Sequence, residues 1–328
     1  MRRAFKLLPL VLVASLTACN NLNKIDGAGY YFYTEVNYTI YAKNDSVVDE
    51  IKKICNIVDK ISDSYKKRDL SNVYDLNQSN DEIEIRKELY YLLECAKEAS
   101  KYATNFNPLI GSLSDKWKDS LGKENPEPLS DKVIQAELAK ISSSSFVSKK
   151  VEDTSSEHGY KYYAQRIGEA TLDLGAIAKG FALDRIYEVL FDNNISEYLI
   201  NCGSSSIMLG AKHSNEPYIV SLRDVPTTKF KAQDCVISSS GNDIQGVKIG
   251  DTMYSHIINP LTGSAIMKND AVIVMTNKTL GYLGDALSTS MMMNSVEEIK
   301  KIEKEMDVKT IVVKDKKIVY SHPDIGLA

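Results

Sequence analysis

Hydrophobic and polar positions change period several times along this chain. Over residues 32–42 (FYTEVNYTIYA), β-branched and aromatic residues alternate with polar ones, which predicts an opening strand. The period then becomes helical. Val47, Ile51, Ile54, Cys55, Val58 and Ile61 fall on one face, which predicts an amphipathic helix over 46–63. Leu89, Leu92, Leu93, Ala96 and Ala99 mark a second helix. Residues 114–160 are polar and serine-rich without a sustained period, and read as loops and short elements. A glycine-bearing turn at Asp173, Leu174 and Gly175 leads into a helix over about 176–192. Residues 198–200, 207–209 and 218–222 read as successive strands, and 272–275 as another. Ser295 and Glu298 fit a capping box before a helix that runs to about Met306. Residues 310–313 and 317–321 close as a hairpin. Strands and helices interleave without strict βαβ regularity, and no internal repeat is visible. The expected fold class is α+β, a single compact domain of mixed sheets and helices.

The N-terminus does not belong to that domain. Arg2, Arg3 and Lys6 make a basic start, residues 7–16 a short apolar run, and Leu16-Thr17-Ala18-Cys19 a lipobox. The apolar run is too short to span a bilayer as a helix. The reading is a lipoprotein signal peptide over 1–18, with an ordinary secretory signal and a chance cysteine as the plainer alternative. A lipidated tether over 19–30 and a folded domain over 31–328 would follow. A diacylated Cys19 would hold the protein on a membrane, since two acyl chains anchor firmly where one does not. The expected place is the cell membrane, on its extracytoplasmic side.

Charge and cysteines narrow the partners. The formal charge is −4, and removing Arg2, Arg3 and Lys6, with no acid beside them, takes it to about −7. No dense Lys/Arg patch is present, so nucleic acid is not an expected partner. Cys55, Cys95, Cys202 and Cys235 lie outside any CxxC pair and away from zinc spacing with histidine. Export would permit disulfides; buried free thiols are the preferred reading.

Three clusters carry candidate chemistry. Residues 173–180 (DLGAIAKG) place a small turn at the start of a helix, where backbone N–H groups and the helix dipole suit phosphate, and Lys179 adds a mobile positive charge. The Walker spacing is missing, and such a turn alone is more often a plain helix cap. Residues 254–263 (YSHIINPLTG) set His256 at the end of an apparent strand, ahead of a proline-glycine turn. Residues 285–290 (DALSTS) put Asp285 and Thr289 four apart, on one helix face. A carboxylate and a hydroxyl suit magnesium, with phosphate and water completing the octahedron; Asp285 as a helix N-cap is the alternative.

In order along the chain these clusters resemble the FAD:protein FMN transferases of the ApbE family. Residues 173–184 resemble the DxGxxAKGxxxD segment, Asn201-Cys202-Gly203-Ser204 the NxGG turn, and Ser238 to Gly241 the TSG stretch. Residues 254–263 resemble YxHIIDPxTG, and residues 285–289 the DAxxT metal motif. Upstream, Asn105-Phe106-Asn107-Pro108 resembles the FDP segment, and Tyr65 with residues 71–77 resembles the family tyrosine and SxxxxLN stretch. Departures are Ser204 for the second glycine, Asn107 and Asn259 for aspartates, and Phe32-Tyr33-Thr34 for an early MGT motif.

The resemblance implies a magnesium-dependent enzyme with FAD as substrate. Magnesium would be held by the backbone carbonyls of Ala176 and Ser288 and the side chains of Asp285 and Thr289. FAD would be lined by Tyr65, Asn105, Phe106, Asn107, Asp173, Lys179 and Ile257, with His256 by the pyrophosphate. A threonine hydroxyl of an acceptor flavoprotein would attack the FMN-side phosphorus, with AMP leaving. His256 is the first candidate for proton acceptor and an aspartate near the metal the second. An FAD pyrophosphatase and a non-catalytic flavin-binding lipoprotein are the other readings.

Overall fold

The computed structural model describes residues 22–156, 159–212, 216–223, 225–242 and 246–328. The signal peptide and Cys19 lie outside the described residues. The chain opens with a hairpin, β1 (Asn23–Tyr31) and β2 (Thr34–Ala42), paired antiparallel along their whole length. Residues 23–30 of the expected 19–30 tether therefore lie in a paired strand. Glycines hid the strand period: a Cβ on Gly27 would stand 2.2 Å from the Tyr38 hydroxyl, so the glycine makes room for that ring. The hairpin also moves the start of the second strand. Phe32 and Tyr33, at φ 54° and 58°, form the two-residue turn rather than strand. Two left-handed residues match the twist of the flanking strands. Aromatic side chains are rare there, and the Asp59 carboxylate pins the turn by accepting from the Phe32 amide at 2.6 Å.

Helix α1 (Ser46–Ser62) buries Val47, Ile51, Cys55, Val58 and Ile61, the stripe expected from its period. Helix α2 (Val73–Gln78) follows with a capping box between Asn72 and Asp75, then β3 (Ile83–Ile85) and α3 (Lys87–Tyr102). The stretch expected to be loops and short elements holds most of α4 (Gly111–Leu121), α5 (Asp131–Ser143) and all of β4 (Ser145–Glu152). In α5 and β4 the period was faint because they bury little. Of α5 only Glu137 and Ile141 are buried, and β4 is largely exposed. With β5 (Tyr160–Ile167), β4 and β3 form a small antiparallel sheet in the order β3-β5-β4.

The second half supplies α6 (Ala178–Asp192), β6 (Tyr198–Cys202), β7 (Ser206–Leu209), β8 (Tyr218–Ser221), β9 (Lys229–Ala232) and β10 (Cys235–Gly241). Then come β11 (Val247–Ile249), β12 (Thr252–Tyr254), β13 (Ala271–Thr276), α7 (Gly281–Met291), α8 (Val296–Met306), β14 (Lys309–Lys314) and β15 (Lys317–Ser321). The Ser295–Glu298 capping box and the closing hairpin stand as expected. An eight-stranded antiparallel sheet runs β1-β2-β6-β7-β10-β13-β14-β15. Helices α1, α3, α6 and α7 cover one face of it through two apolar clusters. The β8–β9 hairpin and the C-terminus cover part of the other, around Leu209, Phe230, Ile273 and Ile311. The fold is α+β, as expected. Cys55, Cys95, Cys202 and Cys235 are free thiols, three of them buried, and burial pushes Cys55, Cys95 and Cys235 up to about 12.

Candidate functional site

A cleft of about 1190 Å³ opens where the helices meet the end of the main sheet. It collects Tyr65, Asn105, Phe106, Asn107, Asp173, Ala176, Lys179, His256, Ile257, Asp285, Ser288 and Thr289, which lie up to 224 positions apart in the chain. Three structural devices bring them there.

The first is the crossing of α6 and α7. A Cβ on Gly180 would stand 2.1 Å from the Gly281 carbonyl oxygen, and one on Gly281 2.6 Å from that of Gly180. Only glycines allow the backbones so close. Asp184, buried on α6, accepts from the Gly281 and Tyr282 amides at 2.7 and 3.0 Å, satisfying the start of α7 across the contact. The crossing sets Asp285 inside α7, one turn past the N-cap Leu280, so it is not itself a cap. Its Oδ2 accepts from the Gly180 amide at 2.7 Å, and its Oδ1 from the Ser206 and Ser238 hydroxyls at 2.8 and 2.6 Å. Burial pushes the Asp285 carboxyl above its ordinary value, opposed by the Lys179 ammonium and these donors.

That arrangement frees two carbonyls. The Gly180 amide is spent on Asp285, so it does not close the helical bond to the Ala176 carbonyl. At the far end of α7 the Met292 amide turns to Thr289 at 3.3 Å, leaving Ser288 without its usual partner four residues on. The Thr289 hydroxyl shares a contact of 3.2 Å with Ser240, which also meets the Ser288 hydroxyl at 2.9 Å. Among the described residues no three His, Cys, Asp or Glu side chains form a metal cluster. One carboxylate with hydroxyl and carbonyl oxygens is instead a hard-oxygen set, which suits magnesium. The residues present therefore fit that ion.

The second device is the wall that carries Asp173. The Asn77 side chain brackets Leu172, accepting from its amide at 2.8 Å and donating to its carbonyl at 2.9 Å. Asp173 follows directly and turns the chain by accepting from the Gly175 amide at 2.8 Å. Opposite it, buried Asp63 accepts from the Tyr65 and Lys66 amides and from Arg68, which presents Tyr65 to the cleft. Lys118 on α4 donates to the Tyr65 hydroxyl and lies over its ring. Burial, the largest influence on Lys118, disfavours its charge. Asp173, Tyr65 and Asp115 together outweigh it and hold the ammonium above its ordinary value. Lys118 and Asp63 were missed in the sequence. Lys118 lies on a helix whose buried face mixes Ser114 and Ser120 with Leu113, Trp117 and Leu121, which blurred its period in the sequence.

The third device is the loop after β12. The Ser255 amide donates to Ala265 at 2.7 Å and the Asn259 amide to Ser264 at 2.8 Å, closing the loop on itself. Trp117 holds it by donating to the Gly263 carbonyl at 2.9 Å. His256 and Ile257 are thereby set on the cleft wall. Asn107 caps a short turn by accepting from the Leu109 amide at 2.9 Å. Asn105 reaches the cleft, but its side chain is engaged with Ser290 and Asn294; it joins α3 to α7.

Comparison with known proteins places this geometry. The model of the ApbE family matches residues 32–312. An FAD:protein FMN transferase of Haemophilus influenzae is 24% identical over 306 residues, covering 87% of this chain and 85% of its own length. One of Treponema pallidum is 26% identical over 227 residues, covering 63% and 59%. Among solved structures, the ApbE protein of Thermotoga maritima superposes with a TM-score of 0.74 at 19% identity, over 92% of this chain and 97% of its own. The flavin transferase ApbE from Vibrio cholerae does so at 0.71 and 20% identity, over 92% and 98%.

Proposed function

This chain belongs to the ApbE family, and from that premise we propose that it is a magnesium-dependent FAD:protein FMN transferase. It attaches FMN through a phosphoester bond to a threonine of an acceptor flavoprotein and releases AMP. One observation carries the reading. Asp285, Thr289, the two freed carbonyls of Ala176 and Ser288, and the Lys179 ammonium share one cleft with an apolar and aromatic wall. A phosphate-activating end beside a flavin-sized space is what the transfer needs.

The threonine oxygen forms a bond to the FMN-side phosphorus as the bond from that phosphorus to the bridging oxygen breaks. AMP leaves with the bridging oxygen, and the hydroxyl proton passes to His256. Asp285, Thr289 and the carbonyls of Ala176 and Ser288 would hold magnesium, which when bound offsets charge on the pyrophosphate oxygens. Lys179 adds to that neutralisation from the protein side, its ammonium facing the same cleft. Tyr65, Phe106 and Ile257 shape the flavin wall, and Asp173 and Asn107 supply acceptors at its polar rim.

The test is incubation with FAD, magnesium and a flavin-free acceptor domain, following AMP and protein-bound flavin. AMP with covalent FMN supports the transferase. AMP with an unmodified acceptor makes the protein a pyrophosphatase, and FAD binding without AMP makes it a binder. Asp285→Ala should abolish AMP release, and magnesium should raise the thermal midpoint of the wild type but not of this variant. Full activity of Asp285→Ala at saturating magnesium would remove the metal assignment.

The location belongs to the same proposal. Cys19, lipidated, anchors the enzyme on the extracytoplasmic side of the membrane. β1 begins at Asn23, so the chain between them reaches at most about 14 Å at about 3.5 Å per residue. The domain is thereby held close to the lipid surface, where an exported or membrane acceptor is met.

A further inference from the structure

The cleft has a second half that the FAD and metal residues leave unused. It passes around the turn at residues 203–205 onto the opposite face of the main sheet. Strand alternation makes the change of chemistry. Ser206 and Ser238 point to Asp285, while their neighbours Ile207 and Ile237 point to the other side. With Leu199, Leu209 and Ile273 they make an apolar floor under the β8–β9 hairpin.

The hairpin does not close this half. Residues 218–223 all line the cleft, whereas from β9 only Phe230 does. A strand whose successive residues all meet a cavity, both faces included, presents its edge to it. The outer edge of β9 is taken: Lys229 and Ala328 exchange both backbone bonds at 2.9 and 2.7 Å, and Leu327 bridges Phe230. Among the described residues β8 pairs with β9 alone. Ile219 on β8 is 66% exposed. The whole cleft, at about 1190 Å³, exceeds the roughly 300–1,000 Å³ of a pocket for one small ligand, which leaves room for a second reactant.

We propose that this half receives an extended segment of the acceptor protein, added as a strand to the free edge of β8. Alternate side chains of the segment rest on the apolar floor, as in other strand-addition complexes. The segment passes over the turn at 203–205, where its threonine meets the phosphate end. The inference rests on the transferase reading, because it names where the second substrate of that reaction binds.

The experiment uses the FMN-carrying domain of an exported flavoprotein from the same organism, purified without flavin. Ile219→Asp, at an exposed position, should raise the acceptor concentration for half-maximal transfer by about tenfold or more. FAD affinity and AMP release without acceptor should not change. In the wild type, the acceptor domain should slow amide exchange at residues 218–222, and FAD alone should not. An unchanged acceptor dependence overturns the proposal, and so does protection by FAD alone, which would give this half to the flavin. If the wild type releases AMP yet places no FMN on the acceptor, the transferase reading itself has failed and the inference falls with it.

Discussion

His256 sits in a loop that the Ser255, Asn259 and Gly263 amides and the Trp117 indole help to hold. Those four ties remain when the imidazole is removed. His256→Ala should lower turnover by roughly 10²–10⁴-fold, the usual worth of a general base, and change FAD affinity little, since proton removal counts in the transition state. A rate measurement beside an FAD titration checks this; unchanged turnover with weakened binding would make His256 a phosphate grip. The cleft position of this residue was legible because an isolated histidine before a proline-glycine turn sits on a loop. Asn105 shows the limit. Its motif implied a flavin contact, and it does line the cleft; its further tie to Ser290 and Asn294, about 190 positions away, leaves no local pattern.

At the scale of elements, the site depends on one helix crossing. Gly180→Ala would push its Cβ into the Gly281 carbonyl. The expected cost is about 1–3 kcal/mol, as for other overpacked contacts, with loss of the magnesium-induced rise in thermal midpoint, because the Gly180 amide also aims Asp285. Denaturation with and without magnesium reads both. Asp184 in the same crossing makes stability depend on pH. Burial pushes its carboxyl up to about 7, opposed by the Tyr282 and Gly281 amides and by Arg185, and assisted by Asp285. Between the unfolded value of about 3.9 and about 7, the native state binds more protons than the unfolded state. Stability therefore falls as pH rises through that window. Asp285, raised in the same direction, adds a slope of the same sign. Asp184→Asn has no proton to release there, so its thermal midpoint should change less than that of the wild type between about pH 5 and 7. Equal slopes would contradict this. The helix α7 and its face were readable from Asp285 and Thr289; the crossing was not, since one glycine beside a lysine does not say which backbone approaches it.

At the scale of the molecule, the domain and its proposed anchor are separate devices. Cys19→Ala should move the protein from the membrane fraction to the soluble fraction while the folded enzyme keeps its rate with FAD. Unchanged fatty-acid labelling in this variant would remove the lipid assignment. The main sheet is the opposite kind of structure, built from distant partners. β2 pairs with β6, Val36 opposite Cys202, so its order emerges only when both halves of the chain are present.

The sequence by itself determined the elements with a strong period and the ordered motifs, because periodicity and short spacings are local properties. It was silent on α5 and β4, which bury too little to imprint a pattern, and it hid β1 behind Gly27 and Gly29, which make room for the rings of Tyr38 and Tyr31. Only the tertiary structure decided that Lys118 reaches Tyr65, that Ser206 and Ser238 hold Asp285, and that the Ala176 carbonyl is freed by an amide turned to another helix. The reason is physical. A hydrogen bond between residues 79 or 105 positions apart is set by how helices and sheet pack, and packing is a property of the whole chain.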